Sequence, residues 1–402
     1  MSERFDRNIK AVYATSVLLG LAYGLAIAVV ALFLDDIGYT KQEIGGLAAW
    51  FAGGIVLGSL PVGRLARRFG ARAVLISSLL GYTVTVTLLP LAASSYWTLV
   101  GVRMADGIFS VGVWVGFETL LLQHATKANK GMVMSLYSIA IAFGYVAGPA
   151  SAGFFSQVMD LSQVFFISGG VALVATLVAT FALRPAAAVE HEVEAASKAG
   201  KNWDLLWKIK TSCLATYSYG YFQASIVLFL PLYLSQKGFA DEKIVVIPAF
   251  FAVGMFVFST FAGKLSDRFG HLLIMRWLAV IGIPAVIAVA FLDSYALIAA
   301  CGFLTGASLA TISPVSLALQ GHIVDKADYA QANGIYNAFY ALGMLIGPVV
   351  TAILFEQFSG AVMIYHLAGL WAFFVVFTLF FAADDPRVAT RRAVLTSQSI
   401  QI

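Results

Sequence analysis

The stretch GVWVGFETLLLQ, residues 112–123, is apolar apart from one carboxylate, Glu118, and a single hydroxyl and amide. Upstream on the same stretch of chain lie Arg103 and Asp106. A charge at the centre of a bilayer costs about 2.5–3.5 kcal/mol even on a lenient insertion scale. At roughly 100° per residue, Asp106, Ser110, Trp114 and Glu118 all fall within about 60° of Arg103, so the polar positions share one helical face. That face belongs against protein or water. Arg103 and Asp106 are one turn apart and can pair within the helix, as a structural ion pair or as part of a site. Glu118 lies about 22 Å from Arg103 at 1.5 Å per residue and has no obvious partner. A carboxyl in an apolar setting is suited to taking up and releasing a proton. Glu118 is therefore the first candidate for proton coupling and Asp106 the second. The competing reading makes Glu118 an anchor that snorkels to the membrane surface or pins the 127–130 connection.

The elements that must carry this face follow from composition. Of 402 residues, 60% are hydrophobic and only 11% charged, and the mean hydropathy is +0.87. Soluble chains carry about a quarter charged residues. The fold class is all-α membrane protein. Apolar segments of spanning length run at roughly 11–34, 43–62, 73–93, 97–122, 132–155, 163–183, 211–235, 244–262, 273–292, 295–320, 332–355 and 361–382. Of the 25 Lys and Arg residues, only Lys41, Lys237 and Lys243 fall in odd-numbered connections and Arg103 within a span; the others lie at the termini or in even-numbered connections. This bias places both termini in the cytoplasm and the protein in the cell inner membrane. It also accounts for the formal charge of +4. Scattered basic residues on short loops form no nucleic-acid groove. The first span lacks a small-residue cleavage site and reads as a true span, not a signal peptide. Cys213 and Cys301 read as buried apolar residues, since no CxxC or Cys/His cluster surrounds them. No metal site, cofactor site or enzyme motif appears.

The chain is duplicated. GRLARRFG at 63–70 and GKLSDRFG at 263–270 share five of eight positions, 200 residues apart. GYVAGP, with Gly144, Gly148 and Pro149, matches GMLIGP, with Gly343, Gly347 and Pro348, 199 residues apart. The domains are therefore 1–183, a linker at 184–210, and 211–402, two pseudo-symmetric bundles of six transmembrane helices. Because matched elements keep their sidedness, the repeat is parallel, an arrangement that puts a substrate site near the midplane.

Over essentially the whole chain these motifs resemble the major facilitator superfamily. The motif G-x-L-x-D-R-x-G is complete at Gly263, Leu265, Asp267, Arg268 and Gly270, and placed in the connection between the second and third helix of its half. In the first half, Gly63 and Gly70 are kept but Arg67 stands at the acidic position. In the family that acid is thought to act as a gate element against a neighbouring helix N-terminus, where an anion is favoured by about 0.3–1 kcal/mol; a cation cannot play that part. The fourth-helix pattern is matched by Arg103, Asp106 and Gly107. A fifth-helix glycine pattern that the resemblance associates with antiporters is matched at Gly144, Gly148, Pro149 and Gly153, with Ser135 and Ala152 replacing two glycines. Such glycines also serve close helix packing. The segment WVGFET resembles a bacterial facilitator subgroup with a Trp-x-x-x-Glu pair.

The resemblance makes helices 1, 4, 7 and 10 the cavity lining. Arg103, Trp114, Tyr23, Tyr217, Tyr221, Gln223, Thr311 and Tyr336 are the substrate-binding candidates, with Tyr13, Asn337 and Tyr340 nearby. Rings and hydroxyls suit a medium-sized amphipathic organic molecule. His366 reads as a packing histidine. The expected function is a monomeric secondary transporter in the lipid bilayer that exchanges protons for a small organic compound and exports it. Proton-coupled uptake of a sugar-like metabolite is the alternative. A receptor without transport is the remote one, because fold does not fix function.

Overall fold

A computed structural model describes residues 6–155, 158–184, 202–239 and 247–386. Twelve helices among them are long and apolar enough to cross a membrane: α1 (Arg7–Asp36), α2 (Lys41–Phe69), α3 (Ala71–Leu88), α4 (Tyr96–His124), α5 (Lys130–Phe155), α6 (Leu161–Ala182), α7 (Lys210–Gln236), α8 (Ile247–Phe269), α9 (His271–Phe291), α10 (Tyr295–Ile323), α11 (Tyr329–Gln357) and α12 (Gly360–Phe380). Helices satisfy every backbone group internally, which lipid demands. A short helix, Asn202–Lys208, lies inside the expected linker. The rest of that linker up to residue 201, the 240–246 connection and the tail from 387 lie outside the described residues.

Glycines punctuate the chain at matching places. The positive-φ glycines are Gly38, Gly70, Gly238 and Gly270, two pairs each 200 residues apart, following α1, α2, α7 and α8. Only glycine adopts φ of 82–111° without strain,. Two expectations are corrected here. The motifs at 63–70 and 263–270 are not connections: Gly63 and Arg67 belong to the last turns of α2, and Gly263, Asp267 and Arg268 to those of α8, with only Gly70 and Gly270 outside. Nothing before the terminal glycine breaks the helix, so it runs on. The third span, expected to reach residue 93, ends at Leu88 because Pro90 lacks the N–H a helix needs and clashes with the preceding turn,.

The described residues form two compact units. The first holds α1 to α4, α5 from Leu136, α6, and α11 as far as Ala341; the second holds the segment Thr126–Ser135, α7 to α10, α11 from Leu342, and α12. Each unit is built on backbones in close approach. In the first, a Cβ at Gly54 would strike the Met104 carbonyl of α4, and one at Gly107 the Phe51 carbonyl of α2. In the second, Gly254 meets the Phe303 carbonyl and Gly306 the Phe251 carbonyl. These are the same two contacts repeated, between α2 and α4 and between α8 and α10. Within the first unit Gly20 and Gly24 of α1 lie against Gly144 and Gly148 of α5; within the second, Gly343 and Gly347 of α11 lie against the Tyr217 and Tyr221 backbone of α7. Small residues permit such approach where lipid supplies no hydrophobic drive for helix association.

Gly148→Ala is accordingly expected to lower the thermal midpoint of the purified protein, with an overpacking cost of about 1–3 kcal/mol. Gly170 on α6 has open space around the position a Cβ would take. Gly170→Ala should leave the midpoint unchanged or raise it by up to about 1 kcal/mol of helix propensity.

Candidate functional site

The ionisable face of α4 divides into two settings. Arg103 Nη1 donates to Asp106 Oδ2 at 2.7 Å, so these two pair within the helix, and the Ser110 hydroxyl approaches Asp106 Oδ1 at 3.5 Å. The Arg103 guanidinium also lies over the Phe51 ring at 4.6 Å, a contact the α2–α4 glycines bring about,. Asp106 is buried and Arg103 half-buried. The Asp106 charge is thus answered by a cation on its own helix.

Glu118 is answered differently. It is 6% exposed, and its Oε2 accepts from Asn337 Nδ2 of α11 at 2.7 Å. The sequence leaves Glu118 without a partner; the structure corrects this, because α11 packs along α4 within the first unit. One turn to either side the same two helices meet again: Asn333 Nδ2 donates to Thr119 Oγ1 at 2.9 Å, and Tyr340 packs edge-on against Trp114 with ring centroids 6.1 Å apart. Asn333, Asn337 and Tyr340 follow helical spacing along one edge of α11. The orientation of Asn337 is fixed, since its amide also donates to the Asn333 carbonyl at 2.9 Å. No cation lies within ion-pair distance of Glu118 among the described residues. The carboxylate anchor to the 127–130 connection is not formed either, among the contacts described.

The other candidates scatter. Tyr23 is buried between Tyr82 and Tyr145, with ring centroids at 4.5 and 6.0 Å. Tyr336 is buried, while Trp114, Tyr217 and Gln223 are half-buried. The Tyr221 hydroxyl meets His366 Nε2 at 3.2 Å, and His366 Nδ1 lies 2.6 Å from the Met363 carbonyl. That carbonyl requires Nδ1 to carry a proton, leaving Nε2 to accept from Tyr221. Thr311 is fully buried beside the π-helical turn Gly306–Ala310 of α10, its hydroxyl within 2.9 Å of the Ala307 carbonyl and 2.7 Å of the Ser308 carbonyl. The gate-motif residues sit at the ends of α2 and α8. Asp267 accepts from the backbone N–H groups of Gly131 at 2.8 Å and Met132 at 2.9 Å, in the first turn of α5. Arg67 faces Asp328, which immediately precedes α11, at 3.9 Å. Sequence reading missed Asp328 and Asn333. The signal for Asn333 was its spacing of four from Asn337, and that for Asp328 its place opposite Asn129 in the 199-residue repeat.

A family profile described as Major Facilitator Superfamily matches residues 12–295 and 244–398. An uncharacterized MFS-type transporter of Yersinia enterocolitica is 26% identical over 361 residues, covering 87% of this chain and 90% of its own. Among solved structures, the human organic anion transporter MFSD10 superposes with a TM-score of 0.77 at 14% identity, over 92% of this chain and 98% of its own. The fucose:proton symporter FucP of E. coli gives 0.72 at 15% identity, over 92% and 98%. At such identities the two structures attest the fold alone, and the profile supplies the family. The chain belongs to the major facilitator superfamily and is a multi-pass membrane transporter.

Proposed function

We propose that the protein is a proton-coupled antiporter that exports a small amphipathic organic compound by alternating access, with Glu118 as the group that takes and releases the proton. One observation carries this reading: Glu118 is buried in a membrane-spanning helix with a neutral amide as its hydrogen-bond partner and, among the described residues, no cation within ion-pair distance. An isolated buried charge is costly, and protonation removes the cost. Asn337 occupies Oε2, so Oε1 is left as the seat for the proton. Asp106, held by Arg103, is the second candidate for the same task. Trp114, one turn from Glu118, and Tyr340, packed against it, offer ring faces to an organic substrate or cation,. Arg103 is a further contact of the site in this reading. The inside bias of the basic loops supports cytoplasmic termini in the inner membrane.

Uptake of a sugar-like metabolite is the weaker reading, because its hydroxyl-rich tenth helix turns inward upon itself. Ser308 bonds the Leu304 carbonyl at 2.7 Å, Ser316 the Ser313 carbonyl at 2.7 Å, and Thr311 the π-turn carbonyls.

Two measurements test the proposal. In proteoliposomes with an imposed pH gradient and a panel of cationic, neutral and anionic organic compounds, at least one compound should discharge the gradient through the wild type. Glu118→Gln is expected to slow that discharge by at least about tenfold, equivalent to about 1.4 kcal/mol. Equal rates in the two proteins would assign Glu118 to structure, and gradient-driven accumulation in the opposite sense would establish uptake. The second concerns the hydrogen bond itself. Asn337→Leu should cost about 1–3 kcal/mol of stability by stranding a buried acid. The cost should shrink in a Glu118→Leu background, giving a double-mutant coupling of about 0.5–3 kcal/mol; additive losses would show that the bond contributes nothing.

A further inference from the structure

The departure at Arg67 is matched by an acid elsewhere. In the second unit, the end of α8 packs on the start of α5: a Cβ at Gly263 would strike Gly131 and Ser135, and the Asp267 carboxylate accepts from the Gly131 and Met132 N–H groups. In the first unit, the end of α2 packs on the start of α11 in the same way: a Cβ at Gly63 would meet Ala330, Gln331 and Gly334. The repeat, 199 residues apart in this region, pairs Gly131 with Ala330 and Asn129 with Asp328. Asn129 is the residue before α5 and accepts from the Thr126 N–H at 2.9 Å. So the second half has an acid on the capped helix's neighbour and an amide before the capped helix. The first half has a cation on the neighbour, Arg67, and an acid before the capped helix, Asp328.

A bare cation aimed at a helix N-terminus is repelled by the unpaired N–H groups there. Asp328, the residue just before the α11 N-terminus, lies 3.9 Å from Arg67 Nη1, with side chains 14% and 23% exposed. Arg67, Gln123 of α4 and Lys326 line a cavity of about 10 Å³ beside the pair, room for one water,. Asp328 is the acid among these cations. We infer that Asp328 is a positioning residue that takes over, at the start of α11, the task Asp267 performs at the start of α5, with the charges exchanged across the contact. The Arg67–Asp328 pair seats the first turn of α11 on the end of α2, and so holds in register the α11 edge that presents Asn337 to Glu118.

The inference rests on membership of a transporter family but needs neither the proton nor the substrate assignment, so its test uses a readout free of both. In a background with Cys213→Ala and Cys301→Ala, a cysteine at Ala66, a buried residue lining the cavity, reports opening of this seam by its rate of maleimide labelling in purified protein. Arg67→Asp and Asp328→Asn are each expected to raise that rate by about tenfold. The double variant Arg67→Asp, Asp328→Asn copies the second half's own arrangement of acid and amide and should return the rate to within about twofold of the parent. Arg67→Lys should label as the parent does. A double variant that labels as fast as the faster single variant overturns the inference, as does an Asp328→Asn protein indistinguishable from the parent. Should a single variant fail to fold, recovery of folded double variant supports the exchange and its absence refutes it.

Discussion

An ionisable side chain inside a membrane-spanning helix has to be answered within a few ångströms, because lipid offers neither water nor counter-ions. Four acids in or just beside the spanning helices are answered in four ways. Asp106 has a guanidinium on its own helix, Asp267 has two backbone N–H groups at a helix start, and Asp328 has Arg67 across a helix contact. Glu118 has an amide. The first three arrangements stabilise a negative charge. The last one tolerates either state, since an amide donor suits a carboxylate and a neutral carboxyl alike. This difference singles out Glu118 more firmly than its position in the sequence does.

The glycines are what let these answers occur. Gly54 and Gly107 bring α2 and α4 close enough for Phe51 to lie under Arg103, and Gly63 and Gly334 bring α2 onto α11 where Arg67 reaches Asp328. Each contact would be lost if a side chain held the backbones apart, because polar groups on membrane helices have short reach. Packing and electrostatics are therefore one design: small residues set the distances at which buried charges find partners. The same design is repeated in the second unit with Gly254, Gly306 and Gly263.

Much of this was legible in the sequence. Hydropathy located all twelve spans, and the two repeated motifs located the duplication, because both depend on local composition. Element ends were less legible: Pro90 stops α3 early, while α2 and α8 extend through their motifs to a glycine. Site chemistry was legible only where partners share a helix, as with Arg103 and Asp106. The Glu118–Asn337 bond joins residues 219 apart, and nothing in either neighbourhood encodes that separation. The Thr311 hydroxyl is engaged within its own helix, bonded back to the Ala307 and Ser308 carbonyls, which its sequence neighbourhood alone does not reveal,.

Helix α11 is where these strands of argument join. Its first part carries Asp328, Asn333, Asn337 and Tyr340, all engaged with α2 or α4 in the first unit; its later part carries Gly343 and Gly347, seated on the α7 backbone in the second. Between them the chain passes from one unit to the other at Ala341 and Leu342. Pro348 has no N–H, so the Met344 carbonyl lacks its helical donor just beyond that passage,. The amide that meets Glu118 is held to the first part of this helix by a second bond to the Asn333 carbonyl, so the register of α11 decides whether Glu118 has a partner.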